Sequence, residues 1–378
     1  MAVRVLLAFG TRPEAIKLAP VVEALRTDGR FLPILAATAQ HRGLLDQALG
    51  LFGLVPDYDL DLMRPGQDLT HVTTAVLEGF KPILEEAKPD LVVVQGDTTT
   101  TFAGALAAFY ARIPVAHVEA GLRTGDPSSP YPEETNRALT ARLADFHFAP
   151  TGLARENLLA EGIAPGAIHV TGNTGIDAVL AVARRVRDDV PVLPQELATL
   201  DPARPLVLVT AHRRESFGDG LENICRAIAE LVATRPEIDL VFPVHPNPNV
   251  RRPVNAMLGT LGNVRVVEPV DYEQLVWLLS RATLVLTDSG GIQEEAPSLD
   301  VPALVLRDKT ERPEGVDAGA LRLVGTDPAR IVAAALRLLD DPAEHERMAL
   351  VPNPYGDGHA AGRIVSILAD KLARQVAA

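Results

Sequence analysis

A chain of 378 residues is long enough for about two domains of the usual ~100–200 residues. With 47% apolar and 22% charged residues, it has a globular rather than a disordered composition. Asp plus Glu outnumber Lys plus Arg by 49 to 36, a formal charge of −13, so the footprint of a nucleic-acid binder is absent and an anionic ligand must meet a local basic site. One cysteine, Cys225, excludes an intrachain disulfide and a multi-cysteine metal site and makes the cytoplasm the expected compartment. No stretch approaches the ~18–20 uninterrupted apolar residues of a membrane span, and the N-terminal apolar run is too short for a signal peptide.

Short β-branched runs alternate with helical periodicity throughout, the pattern of βαβ units on parallel sheets. The first run, Val3 to Phe9, leads into Gly10-Thr11-Arg12-Pro13-Glu14-Ala15-Ile16-Lys17. The glycine there lets backbone approach a ligand, the helix start points amides outward, and Arg12 and Lys17 add positive charge. No G-x-G-x-x-G follows, which argues against a nicotinamide site. A second run, Leu32 to Thr38, precedes Gln40-His41-Arg42. Leu91 to Gln95 ends at Gly96-Asp97 and four threonines able to cap a helix, and Val115 to Glu119 ends on another carboxylate. Ser129-Pro130-Tyr131-Pro132-Glu133-Glu134 then opens a helix with acids in its first turn, where the macrodipole favours them in any case. Each carboxylate alone reads as structural. Asp97, Glu119 and Glu133 together, near Arg123 and Arg137, read equally well as an acid/base cluster.

After the strand candidates Phe146 to Phe148 and Ile168 to Thr171 comes a proline-studded stretch, placing a linker at 172–204 between domains 1–171 and 205–355. A final helical segment, 356–378, is expected to return to the first domain. In the second half Leu206 to Thr210 ends at Ala211-His212-Arg213-Arg214, and Leu240 to Val244 ends at His245. Leu284 to Thr287 ends at Asp288-Ser289-Gly290-Gly291, where backbone amides suit a phosphate. Strand candidates Val264 to Val267 and Ala303 to Leu306 complete this set. Cations at these ends suit a diphosphate; a surface salt-bridge network is the plainer reading. Cys225 lies on an apolar helical stripe and reads as core. The remaining histidines lack metal-ligand spacing, so no metal is expected.

Taken in order, Gly10 to Pro20, Thr38 to Asp46, Gln95 to Thr101, His117 to Asp126, Ser129 to Arg137, Thr171 to Asp177, His212 to Phe217, Val244 to Val250, Thr287 to Ser298, Arg307 to Gly315 and Asn353 to Gly358 closely resemble the non-hydrolysing UDP-N-acetylglucosamine 2-epimerases of bacteria. The resemblance implies an α/β fold of two doubly wound Rossmann-like domains facing each other across a cleft, as in B-type glycosyltransferases. It also implies a homodimer and reversible conversion of UDP-GlcNAc to UDP-ManNAc without a cofactor, for cell-envelope polysaccharide synthesis. UDP is eliminated to leave a 2-acetamidoglucal and is then added back. By resemblance Asp97, Glu119 and Glu133 are the acid/base candidates, with His212 acting near the diphosphate. Arg12, Lys17, Arg137, Arg213, His245, Ser289, Gly290, Gly291, Glu295 and Arg312 would bind the UDP-sugar, Glu295 through the ribose. A second UDP-GlcNAc could act as activator near Gln40, His41 and Arg42. A UDP-sugar-dependent glycosyltransferase and a hydrolysing epimerase releasing ManNAc are the alternatives.

Overall fold

In a computed structural model, residues 2–38, 42–64, 66–213 and 216–376 are described, with the backbone alone at 42 and 373–376. Gln40 and His41 lie outside the described residues, as does the side chain of Arg42. The chain forms two compact units, dividing between 178 and 179 and again between 354 and 355. The first unit is built on β1 (Val3–Phe9), β2 (Phe31–Ala37), β3 (Tyr58–Asp59), β4 (Leu91–Gln95), β5 (Val115–Val118), β6 (Phe146–Ala149) and β7 (Ile168–Val170). The second contains β8 (Leu206–Thr210), β9 (Asp239–Pro243), β10 (Val264–Val267), β11 (Ala282–Thr287), β12 (Ala303–Val305) and β13 (Leu321–Leu323).

All pairings are parallel, in the orders β3-β2-β1-β4-β5-β6-β7 and β10-β9-β8-β11-β12-β13. Numbered from its own first strand, each sheet therefore runs 3-2-1-4-5-6, with a seventh strand added at the end of the first sheet. This is the doubly wound order whose ligand crevice opens where the winding reverses, outside the carboxyl ends of strands 1 and 4. Those ends are β1 and β4 in one unit and β8 and β11 in the other. All five residues of β4 are buried, as a parallel strand covered on both faces requires. Around β1 and β4 the core gathers Leu6, Ile34, Val76, Phe80, Val92 and Val94. Cys225 is fully buried in the second unit's core, where burial pushes its thiol up to about 12.

Sequence reading missed two strands, β3 and β13. Both are terminal or short additions, two and three residues long, too brief to show a periodicity of their own. Within 172–204, two helices form, Thr174–Asp188 and Gln195–Ala198. The last helix, Ala360–Val376, belongs to the first unit. Its first amides, at Ala360 and Ala361, donate to the Asp177 carboxylate at 3.2 and 2.9 Å, satisfying orphan donors at a helix start.

Close packing fixes the end of β1. A Cβ on Gly10 would lie 2.2 Å from Thr38 Oγ1 and 2.5 Å from Thr100 Oγ1, two hydroxyls that are themselves 2.9 Å apart and buried. Gly10→Ala should therefore destabilise the protein by about 1–3 kcal/mol, the usual cost of overpacking. A lower urea midpoint at unchanged slope is the expected result.

Two histidines interrupt the apolar strands. His117 of β5 pairs in register with His147 of β6, and both are buried. Burial holds His117 down at about 3 and His147 at about 4, so both are neutral in the folded state. An unfolded histidine takes up its proton near ~6.5, so below that pH the unfolded chain binds more protons and stability falls with pH. The loss should begin as pH drops through about 6.5 and continue towards the two depressed values. Denaturant midpoints at about pH 7 and about pH 5 check this, because an unchanged midpoint would contradict neutral burial.

Candidate active site

Three consecutive neighbours in the first sheet, β1, β4 and β5, deliver the first group of side chains. After β1, Thr11 caps the helix Arg12–Thr27. Three residues further on stands Glu14, only 1% exposed, whose carboxylate ties together two turns. Its Oε2 accepts the amides of Gly10 (3.0 Å) and Thr11 (2.8 Å) and the Thr11 hydroxyl (2.7 Å). Its Oε1 accepts the hydroxyls of Thr98 (2.7 Å) and Thr101 (3.2 Å) from the turn after β4. Burial raises the Glu14 pKa, against the pull of these donors. The same clamp joins the turn that leads into Arg12 to the turn that carries Asp97. Arg12 is partly buried and has no ion-pair partner among the described residues.

Asp97 leaves β4 through Gly96, whose φ of +75° favours glycine. His117 holds that glycine's carbonyl through Nε2 at 2.7 Å, and the Asn136 amide donates to the Asp97 carbonyl at 3.0 Å. The Asp97 carboxylate pairs with Arg137, which also reaches Glu134 at 3.1 Å. Glu119, just beyond β5, pairs with Lys17 and adopts a left-handed φ of +64°. Such strain costs roughly 1–3 kcal/mol and persists only where surrounding contacts over-determine it. Glu133 opens the helix Glu133–Leu143 and has no hydrogen-bond or ion-pair partner for its carboxylate among the described residues. Its neighbour Glu134 has the structural duty, accepting the amides of Thr124 and Gly125 at 3.0 Å each. Arg123 turns to Glu161 at 2.6 Å instead of joining the carboxylates.

The second unit repeats the layout with cations. His212 and Arg213 follow β8, His245 follows β9, and Ser289 to Gly291 follow β11. The His212 and His245 rings stack, with centroids 5.6 Å apart and planes 12° from parallel. Ser289 begins the short helix Gly290–Glu295 without using its hydroxyl as a cap. A Cβ on Gly290 would meet the Arg312 guanidinium at 2.7 Å, so the missing side chain is what admits this arginine. Arg312 Nε donates to Glu294 at 2.7 Å, and Glu295 accepts the Tyr272 hydroxyl at 3.1 Å.

Three residues with no role assigned from sequence organise the two groups. Asp288, fully buried, accepts the backbone amides of both His212 and Arg213 at 2.8 Å. Glu311 gathers Arg213 (3.3 Å), Arg307 (2.7 Å) and Arg312 (2.9 Å). Burial alone would raise Glu311, but Arg312 and Arg307 outweigh it and hold the carboxyl at about 2. Glu14 is the third, and its pattern, Thr11 followed three residues later by a glutamate, was a readable capping signature. Among the described residues, no group of three or more His, Cys, Asp or Glu side chains is arranged to hold a metal, and no described helix is long and apolar enough to cross a membrane.

A family model described as UDP-N-acetylglucosamine 2-epimerase matches residues 23–369. The UDP-N-acetylglucosamine 2-epimerase of Escherichia coli strain K12 is 58% identical over 369 residues, which are 97% of this chain and 98% of that protein. The crystal structure of UDP-GlcNAc 2-epimerase from Neisseria meningitidis bound to UDP-GlcNAc aligns with a TM-score of 0.90 at 47% identity, covering 97% of this chain and 100% of that one. A crystal structure of a putative UDP-N-acetylglucosamine 2-epimerase from Listeria monocytogenes aligns at 0.92 with 45% identity, covering 99% and 98%. A match of this length and identity, on a chain whose two sheets carry carboxylates and cations at their switch points, means that the chain belongs to the UDP-N-acetylglucosamine 2-epimerase family.

Proposed function

We propose that the protein reversibly inverts C2 of UDP-GlcNAc to give UDP-ManNAc without net hydrolysis. The observation that carries this reading is the set of three carboxylates around β4 and β5 with three different charge environments. Asp97 is tied to Arg137, Glu119 is tied to Lys17, and Glu133 has no cation partner among the described residues. Protonating either of the first two weakens an ion pair, whereas Glu133 gives up none.

The substrate's chemistry asks for this kind of set. The C2 hydrogen of an N-acetylhexosamine is not adjacent to a carbonyl, so its removal must be coupled to loss of a leaving group. A carboxylate of this set takes the C2 proton, the C2–H electron pair becomes the C1–C2 double bond, and the C1–O bond breaks with its electrons on UDP. The 2-acetamidoglucal is re-formed into product when the diphosphate oxygen attacks C1 and C2 is protonated on the opposite face. No water is consumed and no redox cofactor is required. The elimination is anti, so the base and the departing diphosphate act from opposite faces of the sugar.

Each remaining group has a task on this reading. Arg213, Arg312, Ser289 and the amides of Gly290 and Gly291 hold the diphosphate, where charge develops as C1–O breaks. His212 donates to it, with His245 against its ring, and Glu295 accepts the ribose hydroxyls. Lys17 and Arg137 hold Glu119 and Asp97 in place, and Arg12 supplies positive charge on the substrate side. The assembly expected from sequence, a cytoplasmic homodimer with a second UDP-GlcNAc acting as activator near residues 40–42, is proposed with it.

In deuterated water, UDP-GlcNAc alone should give an equilibrium mixture with UDP-ManNAc carrying deuterium at C2, followed by proton NMR. Free ManNAc and UDP accumulating together would assign the protein to hydrolysis, and no turnover without an acceptor sugar would assign it to transfer. Asp97→Asn, Glu119→Gln and Glu133→Gln should each keep the fold, checked by circular dichroism, and lower kcat by roughly 10² or more, the scale of a lost acid/base group. His212→Asn should lower it by about 10² to 10³, as for a lost stabiliser of developing charge. Wild-type turnover in any one variant removes that residue from the mechanism.

A further inference from the structure

Three contacts bear on the position of the His212 imidazole. Its own backbone amide and that of Arg213 both end on Asp288 Oδ2 at 2.8 Å, which pins the segment after β8 to the end of β11. Its Nδ1 faces the other carboxylate oxygen of the same aspartate, Oδ1, at 3.6 Å. One face of its ring stacks on His245. Asp288 Oδ1 is buried and has no hydrogen-bond partner among the described residues, an expensive condition for a carboxylate oxygen. A small rotation of the imidazole would satisfy it with an Nδ1 proton.

We propose that Asp288 is the positioning residue of His212: with one oxygen it anchors the backbone, and with the other it claims the Nδ1 proton, so that Nε2 alone is presented to the diphosphate. This deepens the reading above and rests on it, because it assumes that the second unit holds a nucleoside diphosphate. The consequence is a coupling between ligand and proton. With Nδ1–H directed at Asp288, a neutral ring offers only a lone pair at Nε2, and that lone pair repels a diphosphate oxygen. An arriving diphosphate must therefore bring a proton to Nε2, turning His212 into a cationic donor wedged between two anions. The same logic orients a histidine wherever a buried carboxylate holds one ring nitrogen and the other does the work.

The charged neighbours act in opposing directions. Partial burial of the ring lowers its pKa, Asp288 raises it, and His245 and Arg213 lower it, with a net downward shift for His212 in the unliganded protein. The side chain is 42% exposed, so a ligand can reach it. Arg213 is itself drawn towards Glu311, which tempers its repulsion of the imidazolium. Removing the Asp288 charge takes away the neighbour that, among the described residues, favours the protonated ring.

Asp288→Asn tests this with little change of shape, since the amide oxygen can still accept both backbone amides while its NH2 faces Nδ1. The ring nitrogens of His212 are followed by 15N NMR, assigned by their absence in His212→Asn. In the wild-type protein above its titration midpoint, the ring proton should reside on Nδ1; in Asp288→Asn it should move to Nε2 and the midpoint should fall. UDP should raise the wild-type midpoint, so wild-type affinity for UDP should weaken as pH rises above that midpoint, whereas Asp288→Asn, whose neutral ring already carries its proton on Nε2, should lose much less affinity over the same range. A wild-type proton on Nε2, identical midpoints in the two proteins, or the same pH dependence of UDP affinity in both would each overturn the proposal. The wild-type tautomer decides the matter even if the variant does not fold. Failure of UDP to bind the wild-type protein would count against the functional reading, while the unliganded titration still decides the role of Asp288.

Discussion

Strands paired in parallel and buried on both faces have no room for polar side chains along most of their length, and the chemistry of this protein is arranged under that constraint. β4 is buried at every position, so the first place where a carboxylate can stand is beyond its end, at Asp97. The same holds for Glu119 after β5, Asp288 after β11 and His212 after β8. Because both sheets wind in the 3-2-1-4 order, the ends of their first and fourth strands are also where the flanking helices diverge and leave space for a ligand. Burial thus decides where polar groups can be, and topology decides which of those places are reachable.

Positions at strand ends would be of little use if the turns were loose, and buried polar groups hold them. Glu14 binds the turn after β1 to the turn after β4. Asp288 does the corresponding work between β8 and β11, so each unit joins its first and fourth strands through one buried carboxylate. His117 belongs to the same class. It occupies a strand interior at the cost of being neutral, and its Nε2 holds the carbonyl of Gly96 immediately before Asp97. Buried polar groups are tolerated when they are hydrogen-bonded, and here the hydrogen bonds fall on the turns that carry the candidate residues.

The parallel α/β character, most strands and the strand-end positions of the candidate residues were legible because buried parallel strands write themselves as apolar runs closed by a polar residue. Val92-Val93-Val94-Gln95-Gly96-Asp97 is such a run. β3 and β13 were not legible, since strands of two or three residues are made by pairing with a neighbour and leave no pattern in sequence. The supporting carboxylates were also missed in function, although Asp288 and Glu14 stood within recognised turns. Their roles depend on a partner 76 residues away for His212 with Asp288 and 84 residues away for Thr98 with Glu14, distances that local spacing does not report. Glu311 gave still less sign, because a glutamate among arginines reads as a solvated salt bridge until burial is known.

On the proposed reading, acid/base carboxylates and diphosphate-binding arginines would compete for one another if they stood side by side in one sheet. The chain keeps the two sets on separate sheets and gives each its own internal counter-charges. In the first unit Lys17 and Arg137 serve Glu119 and Asp97, while Glu133 has no such partner among the described residues. In the second, Arg213, Arg307 and Arg312 converge on Glu311, and Arg312 also reaches Glu294. Those pairs preorganise the guanidiniums, and on the proposed reading they are weakened or shared when a diphosphate binds, which restrains affinity for the anion. For an elimination that has to run in both directions, such restraint is an advantage: UDP held too tightly after C1–O cleavage would be a poor nucleophile for the return step. On the proposed reading, the glutamates among the arginines therefore serve turnover as much as stability.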